Sequence, residues 1–251
     1  MRKQIFFPSM LLLSISLIIT FSSCRESALS DVEIDDPSLL KVYGSVWKYC
    51  NLDSTVNEVD KVTLRLKDKT DHSIDLKKGG VSCNGVEMFS HTDLVGPYYA
   101  VPSEIAVVKS DSTYNYIIEL ADGAEYTGSV SIDNKHLKTI SVQSSWKWTE
   151  TDSLIVSWND IDDAYSTWIF WQKTFKDGVD HTDESSIGSH NVSDFNSYSF
   201  PSSFFTNTSG ELMIKTLQVR LQCEKEGELD SRFRSGNVKC RFDYIKNVSI
   251  H

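Results

Sequence analysis

Apolar and polar residues alternate in short runs through most of the chain. In VTLRL (residues 62–66), every second residue is apolar, which is typical of a strand with one face buried. From Val42 onward, no stretch of twelve residues has the 3.6-residue period of an amphipathic helix. The pattern therefore predicts an all-β protein.

Turn signals separate these apolar runs. Gly79-Gly80 interrupts one of them, Asn84-Gly85 lies between two short β segments, and Asp122-Gly123 lies between two longer ones. Asn-Gly is a strong signal for a two-residue hairpin. Short strands at this spacing predict a β-sandwich or barrel, and residues 41–136 look generically immunoglobulin-like.

A second unit begins near Lys138. The segment SLIVSWNDIDDAYSTWIFWQK (residues 153–173) resembles strands B and C of a fibronectin type III domain, with Leu154, Val156 and Trp158 facing inward. LQVRLQC (217–223) resembles strand F, and GNVKCRFDY (236–244) resembles strand G. The resemblance covers residues 139–246 and implies a fibronectin type III-like sandwich over 137–251. It departs at Leu217, where the family usually has a tyrosine.

The N-terminus has the pattern of an export signal. Basic Arg2 and Lys3 precede an apolar run from Ile5 to Phe21, which predicts a signal peptide over residues 1–23. A membrane-spanning anchor is the alternative, since the run approaches that length. FSSC (21–24) resembles the lipobox of bacterial lipoproteins, which implies cleavage before Cys24 and lipidation of that cysteine. The polar residues 24–40 predict a flexible tether.

The lipobox and the acidic residues behind it resemble the surface lipoproteins of Gram-negative gut anaerobes. This resemblance implies a location in the cell envelope, on the outer membrane, with the domains exposed at the surface. The alternative interpretation of the acidic stretch is a linker that holds the domain away from the membrane.

Charge and motifs narrow the classes of function. The net charge is −10, from 25 basic and 35 acidic residues, whereas a nucleic-acid-binding protein needs a basic face. Neither a hydrolase nucleophile motif nor a P-loop occurs, so we expect no enzyme activity and no cofactor. His181, Asp183, Glu184 and His190 suggest a metal site, and residues 159–163 suggest calcium, but solvated loops explain both segments and we expect no metal.

Cys223 and Cys240 fall on the inward side of their predicted strands. Leu217, Val219 and Leu221 share a face with Cys223, and Val238 and Phe242 share a face with Cys240. Neighbouring cysteines on paired strands can form a disulfide if their Cα atoms lie within about 7 Å. The pattern leaves two alternatives open, a Cys223–Cys240 disulfide or two buried thiols.

The segment STWIFWQ (166–172) places aromatic residues on both sides of one strand. If Thr167, Ile169 and Trp171 face the core, then Trp168 and Phe170 lie on the outer face of the sheet. Either a neighbouring segment covers these two rings or they form a contact surface, because aromatic residues are enriched in the cores of interfaces.

These features predict a lipid-anchored, non-enzymatic binding module for a glycan, peptide or protein partner, with Trp168 and Phe170 as the candidate platform. The alternative is a structural subunit or spacer in a larger envelope or adhesion assembly. An exposed aromatic platform would favour the first function, and a large flat apolar patch would favour the second.

Overall fold

The structure is a computed structural model that describes residues 33–51, 59–109, 111–132, 140–158, 166–179 and 185–251. Nearly all of its regular structure is β, which confirms the predicted fold class. The helical elements of these residues are two short 3₁₀ turns, Pro37–Leu39 and Ser202–Phe205. No helix in the described ranges is long and apolar enough to span a membrane.

The described residues form eighteen strands. In the N-terminal half these are β1 (Lys41–Asn51), β2 (Lys61–Lys67), β3 (Ser73–Ile74), β4 (Gly80–Cys83), β5 (Val86–Glu87), β6 (Phe89–Asp93), β7 (Gly96–Ala100), β8 (Ser112–Glu119) and β9 (Glu125–Ile132). In the C-terminal half they are β10 (Ile140–Ser141), β11 (Ser145–Trp146), β12 (Leu154–Trp158), β13 (Ser166–Phe175), β14 (Ile187–Asn191), β15 (Ser197–Phe200), β16 (Ile214–Glu226), β17 (Glu228–Leu229) and β18 (Ser235–Ile250).

Ten of these described strands form one large sheet. Its main path runs β14-β13-β16-β18-β1-β2-β7-β6, with β3 and β11 attached beside it. A five-stranded sheet, β17-β9-β8-β4-β5, packs on the part of the large sheet that contains β1, and a three-stranded sheet, β10-β12-β15, packs on the part that contains β13. The architecture is therefore two layers of sheet with apolar side chains between them.

Strand β18 joins the two halves of the chain. It pairs in parallel with β1 from Lys41 opposite Ser235 to Asn51 opposite Ile245, and antiparallel with β16 on its other side. The buried apolar residues of both halves form one connected cluster. The predicted tandem arrangement did not anticipate this shared sheet. The predicted division into 41–136 and 137–251 stays a prediction, and its boundary falls at residues 133–139, outside the described residues.

The packed structure begins before the predicted boundary at residue 41. Residues 24–32 of the predicted tether lie outside the described residues, but Ile34 and Leu40 are buried, with 7% and 0% of their surface exposed. Ile34 and Leu40 therefore reach the core, and their burial holds residues 33–40 against the folded sheets.

The local patterns of the sequence appear where they were expected. Val62, Leu64 and Leu66 are buried along β2, and Leu154, Val156 and Trp158 are buried along β12. The hairpin between β4 and β5 turns at Asn84 and Gly85, whose φ angles are 49° and 77°. Positive φ at both positions is what a type I′ turn requires, and it explains the Asn-Gly pair.

Candidate binding face

The large sheet has one face buried against the two smaller sheets and one face turned away from them. We call the second one the outer face. Along β1 it carries Tyr43, Trp47 and Tyr49, and the alternate residues Val42 and Val46 point into the core. The antiparallel and parallel registers then align side chains from neighbouring strands into rows across this face.

The predicted platform residues lie on the outer face. Trp168 pairs with Gln222 and Phe170 pairs with Arg220 on β16, and the two ring centroids are 6.4 Å apart. Both rings are half-buried. Strand β14 pairs with β13 beside them, and part of each ring stays accessible.

The opposite side of β13 enters the core. Thr167 and Ile169 are buried, and Trp171 packs against Tyr198 and Phe200 of the facing sheet, with centroids 5.9 and 5.5 Å away. A Cβ on Gly188 would lie 2.4 Å from the Trp171 ring, so only glycine lets β14 approach that indole. This contact fixes the rotation of β13 and hence the outward direction of Phe170.

A first cluster of cations and aromatic rings lies where β18 meets β1. The Arg241 guanidinium is 4.4 Å from the centroid of Trp47, and Lys61 Nζ is 5.9 Å from the rings of both Trp47 and Tyr49. Arg241 also donates from Nε to Asp243 Oδ1 at 3.1 Å. The stacked and hydrogen-bonded guanidinium is held in one orientation on the outer face.

A second cluster lies at the other end of β1. The Arg65 guanidinium is 5.5 Å from the Tyr98 ring, which stacks on His91 at 5.6 Å, and Lys67 Nζ is 5.6 Å from the Tyr43 ring. Arg65 binds Asp93 at 2.6 Å. Its hydrogen bond lowers the pKa of Asp93 below the ordinary value, so this carboxylate is ionised and occupied by Arg65.

Buried polar groups lie between the first cluster and Phe170. Asp243 is 2% exposed, and Arg220 reaches it at 3.8 Å from the side opposite Arg241. Gln222, which pairs with Asp243, is 8% exposed. Burial of this carboxylate costs desolvation energy, and the two flanking guanidiniums offset part of that cost while the carboxylate fixes their positions.

Two clefts open on this face. One, of about 560 Å³, lies between β13, β14 and β16 and includes Phe170, Arg220 and Arg241. The other, of about 520 Å³, is lined by polar, charged and aromatic side chains of β1, β2 and the β6–β7 hairpin together with two aliphatic residues: Tyr43, Trp47, Lys61, Thr63, Leu64, Arg65, Lys67, Asp93, Val95 and Tyr98. We call the second one the β1–β2 cleft.

The cysteines take no part in this face. Cys223 and Cys240 are both 0% exposed, and neither is in a disulfide. The disulfide, one of the two alternatives left open by the sequence, is not formed, because the register pairs Cys223 with Phe242 and Cys240 with Lys225 and leaves the two cysteines diagonal to each other. The structure has the other alternative, two buried thiols. Burial raises the pKa of Cys223 to about 12, so this thiol stays protonated and unreactive.

Several predicted site residues lie outside the described residues. These are Cys24, the acidic loop 159–163, and His181, Asp183 and Glu184 of the suggested metal site. His190 is described, and its ring lies 5.5 Å from Tyr198. Among the described residues, no group of three or more His, Cys, Asp or Glu side chains is arranged to hold a metal ion.

Sequence reasoning missed most of the outer face. Tyr43, Trp47 and Tyr49 alternate with Val42 and Val46 in KVYGSVWKY (41–49), and this period of two signals a strand with an aromatic solvent side. Nothing local in the chain signals that Arg241 and Lys61 lie beside Trp47, because those contacts follow from the strand order.

Comparisons with known proteins add little to this picture. No family model matches the chain, and no curated protein matches it. Among solved structures, the crystal structure of CBD12 from CALX1.2 is similar over 80% of this chain and 99% of that chain, with 10% sequence identity and a TM-score of 0.18. A likeness at this level carries no argument about the fold or the function.

Proposed function

We propose that the protein is a lipid-anchored, non-enzymatic binding module of the cell envelope, and that the outer face of its large sheet holds the partner. The observation that carries the proposal is the set of half-buried aromatic rings and oriented cations on one solvent-facing sheet surface. Trp47 with Arg241 and Tyr98 with Arg65 are the ordered pairs. Such groups give large contact area with little loss of side-chain entropy on binding.

The strand arrangement supports a finer assignment of the C-terminal half. The segments that resemble strands C, F and G are β13, β16 and β18, which are neighbours in one sheet, and the segment that resembles strand B is β12 in the facing sheet. This division between sheets is the one expected for immunoglobulin-like sandwiches. We assign residues 137–251 as fibronectin type III-like and residues 41–136 as immunoglobulin-like.

The anchor belongs to the same proposal. Acylation of Cys24 would fix the domain to the outer membrane, because each buried methylene contributes about 0.8 kcal/mol and several chains together give stable attachment. The test is detergent partition of the wild-type protein against Cys24→Ala. The variant should leave the detergent phase, and a variant that remained there would refute the lipid anchor.

The binding function is tested on the mature chain carrying Cys24→Ser, which lacks the lipid. It is applied to a glycan array and used to capture partners from native envelopes. Phe170→Ala and Tyr43→Ala remove rings from the outer face, and Phe195→Ala removes a ring that is 59% exposed elsewhere. We expect the first two variants to weaken binding and Phe195→Ala to leave it unchanged.

Trp168→Ala separates a binding role from a packing role. A loss of about 3 kcal/mol or more in the free energy of unfolding would identify a core residue, whereas lost binding at unchanged stability would identify a site. Binding that survives Phe170→Ala, Tyr43→Ala and Trp168→Ala alike would refute the outer face as the site.

The second candidate function, a subunit of an envelope assembly, is favoured by the edge of the large sheet. All five residues of β6 are exposed, and the β6–β7 hairpin ends in Leu94 and Val95, which are 107% and 66% exposed. An exposed edge and an apolar tip are features that a partner chain covers. This function is supported if Leu94→Ser and Val95→Ser abolish the capture of partners while the outer-face variants leave that capture unchanged.

A further inference from the structure

We propose that the β1–β2 cleft binds an anionic polysaccharide, with Lys61 and Lys67 pairing its acidic groups and Tyr43 and Trp47 flanking its sugar rings. This inference rests on the proposed binding function and names the ligand class for that face. Charge complementarity carries the argument, together with the spacing of the lysines and the chemistry of the rings beside them.

The cleft is cationic on an acidic protein. The chain has a net charge of −10, yet the charged side chains of the cleft are Lys61, Arg65 and Lys67 against Asp93, which is three positive charges against one negative. Asp93 is already bound by Arg65. A local excess of positive charge inside a negative molecule attracts anions to this place and not to the surface in general.

The two lysines have charge available for a ligand. Lys61 contacts the rings of Trp47 and Tyr49, and Lys67 contacts the ring of Tyr43. The charge of Lys67 helps to lower the pKa of Asp71, but the ion pair of that carboxylate is with Lys41. A cation resting on a ring keeps its other side open to solvent. An incoming carboxylate or sulfate can therefore pair with the ammonium group while the ring still holds it in place.

The spacing of the lysines favours a chain-like ligand over a small anion. Lys61 and Lys67 are six residues apart on one strand, which at about 3.3 Å per residue separates their backbones by about 20 Å. Tyr43 and Trp47, on the neighbouring strand, are separated by about 13 Å on the same basis. One small carboxylate cannot reach both lysines, whereas a polymer with regularly repeated acidic groups can.

The backbone hydrogen bonding of β1 favours a sugar ligand over an extended polypeptide. Strand β1 is paired with β18 on one side and β2 on the other from Lys41 to Trp47, so its hydrogen-bonding groups are occupied. An extended peptide gains much of its affinity from adding a strand to a free edge, and between Lys41 and Trp47 strand β1 offers no such edge. A sugar ring instead presents an apolar C–H face to an aromatic side chain and its charged groups at the rim, which matches what the cleft offers.

The test uses the mature Cys24→Ser chain and four probes: polygalacturonate, dextran sulfate, neutral dextran and poly-glutamate. Binding is measured by titration calorimetry at low and at moderate salt. We expect polygalacturonate or dextran sulfate to bind, neutral dextran not to bind, and affinity to fall with salt, because screening weakens exposed charge pairs. The two anionic polysaccharides separate a preference for carboxylate from one for sulfate.

The double variant Lys61→Gln, Lys67→Gln should lower this affinity by about tenfold or more. Its matched control is Lys77→Gln, Lys78→Gln, which removes the same charge from two lysines that pair with Glu33 outside the cleft. Tyr43→Ala should also weaken polysaccharide binding. Circular dichroism and melting of each variant exclude loss of the fold as the cause.

Three results would overturn the inference outright: no binding of either anionic polysaccharide, equally tight binding of neutral dextran, or an equal loss of affinity in the Lys77→Gln, Lys78→Gln control. A fourth is binding of poly-glutamate that depends on Lys61 and Lys67, which would identify an acidic polypeptide as the ligand. Failure of this inference can be distinguished from failure of the proposed binding function. Envelope capture that still depends on Phe170 would stand even if no polysaccharide bound the β1–β2 cleft.

Discussion

Two buried tyrosines provide a matched test of how the N-terminal half is stabilised. Tyr99 and Tyr116 are 5% and 0% exposed, so their rings contribute similar burial. Their hydroxyl groups differ. Removing one oxygen from each, by Tyr99→Phe and Tyr116→Phe, is the same chemical change in two different polar environments, and we expect opposite effects on the free energy of unfolding.

The Tyr99 hydroxyl makes two short hydrogen bonds. It donates to Asp75 Oδ1 at 2.6 Å and accepts from the Leu76 amide at 2.7 Å. A hydrogen bond to a charged group contributes about 1.5–3 kcal/mol and a neutral one about 0.5–1.5 kcal/mol. Tyr99→Phe should therefore cost about 2–4 kcal/mol, with the Leu76 amide left unpaired.

The Tyr116 hydroxyl lacks such partners. The Ser45 backbone is near enough to influence its pKa, but no group in the described residues meets hydrogen-bonding geometry with this buried oxygen. Burial without a partner carries a desolvation cost, which the phenylalanine variant avoids. We expect Tyr116→Phe to change stability by between zero and about 1 kcal/mol in the favourable direction.

Urea denaturation of the Cys24→Ser chain measures both variants against their parent, with the slope m compared to confirm an unchanged unfolding transition. Thermal melting gives a second reading, since 1 kcal/mol shifts Tm by about 2–4 °C in a chain of this size. A loss above about 1.5 kcal/mol in Tyr116→Phe, or a silent Tyr99→Phe, would refute the reasoning.

Three further predictions follow from other contacts. Gly227→Ala should lower the free energy of unfolding by about 2 kcal/mol or more, because its Cβ would lie 2.0 Å from the Ser129 carbonyl oxygen. Gly80→Ala is the control, since its Cβ would meet nothing within 4 Å, and equal urea midpoints for the two variants would contradict the prediction. Asp230→Asn should lower the free energy of unfolding at pH 7, and the loss should shrink as pH falls from about 4 to 2, because the Arg232 guanidinium lowers the pKa of Asp230 to about 2 and the carboxylate stabilises the fold only while it is ionised. A loss of stability that is independent of pH would argue against the ion pair. In the Cys24→Ser chain, Ellman's reagent should find four thiols after denaturation and at most Cys50 before it, and a denatured count of two would reveal a disulfide.

Local sequence determined the strands, the tight turns and the face on which each side chain lies. The alternation in β2, the Asn84-Gly85 hairpin and the outward direction of Phe170 all follow from a period of two residues and from glycine's tolerance of positive φ. These features depend on interactions between near neighbours in the chain, so a short window of sequence contains the information.

Only the tertiary structure decided which strands are neighbours and in what register. The parallel pairing of β1 with β18 brings Arg241 onto Trp47, and the register of β16 with β18 keeps Cys223 and Cys240 apart. An alternating pattern specifies the buried side of a strand but is equally satisfied by many partners on that side. The outer face, assembled from residues far apart in the chain, therefore exists only once long-range packing has selected one pairing.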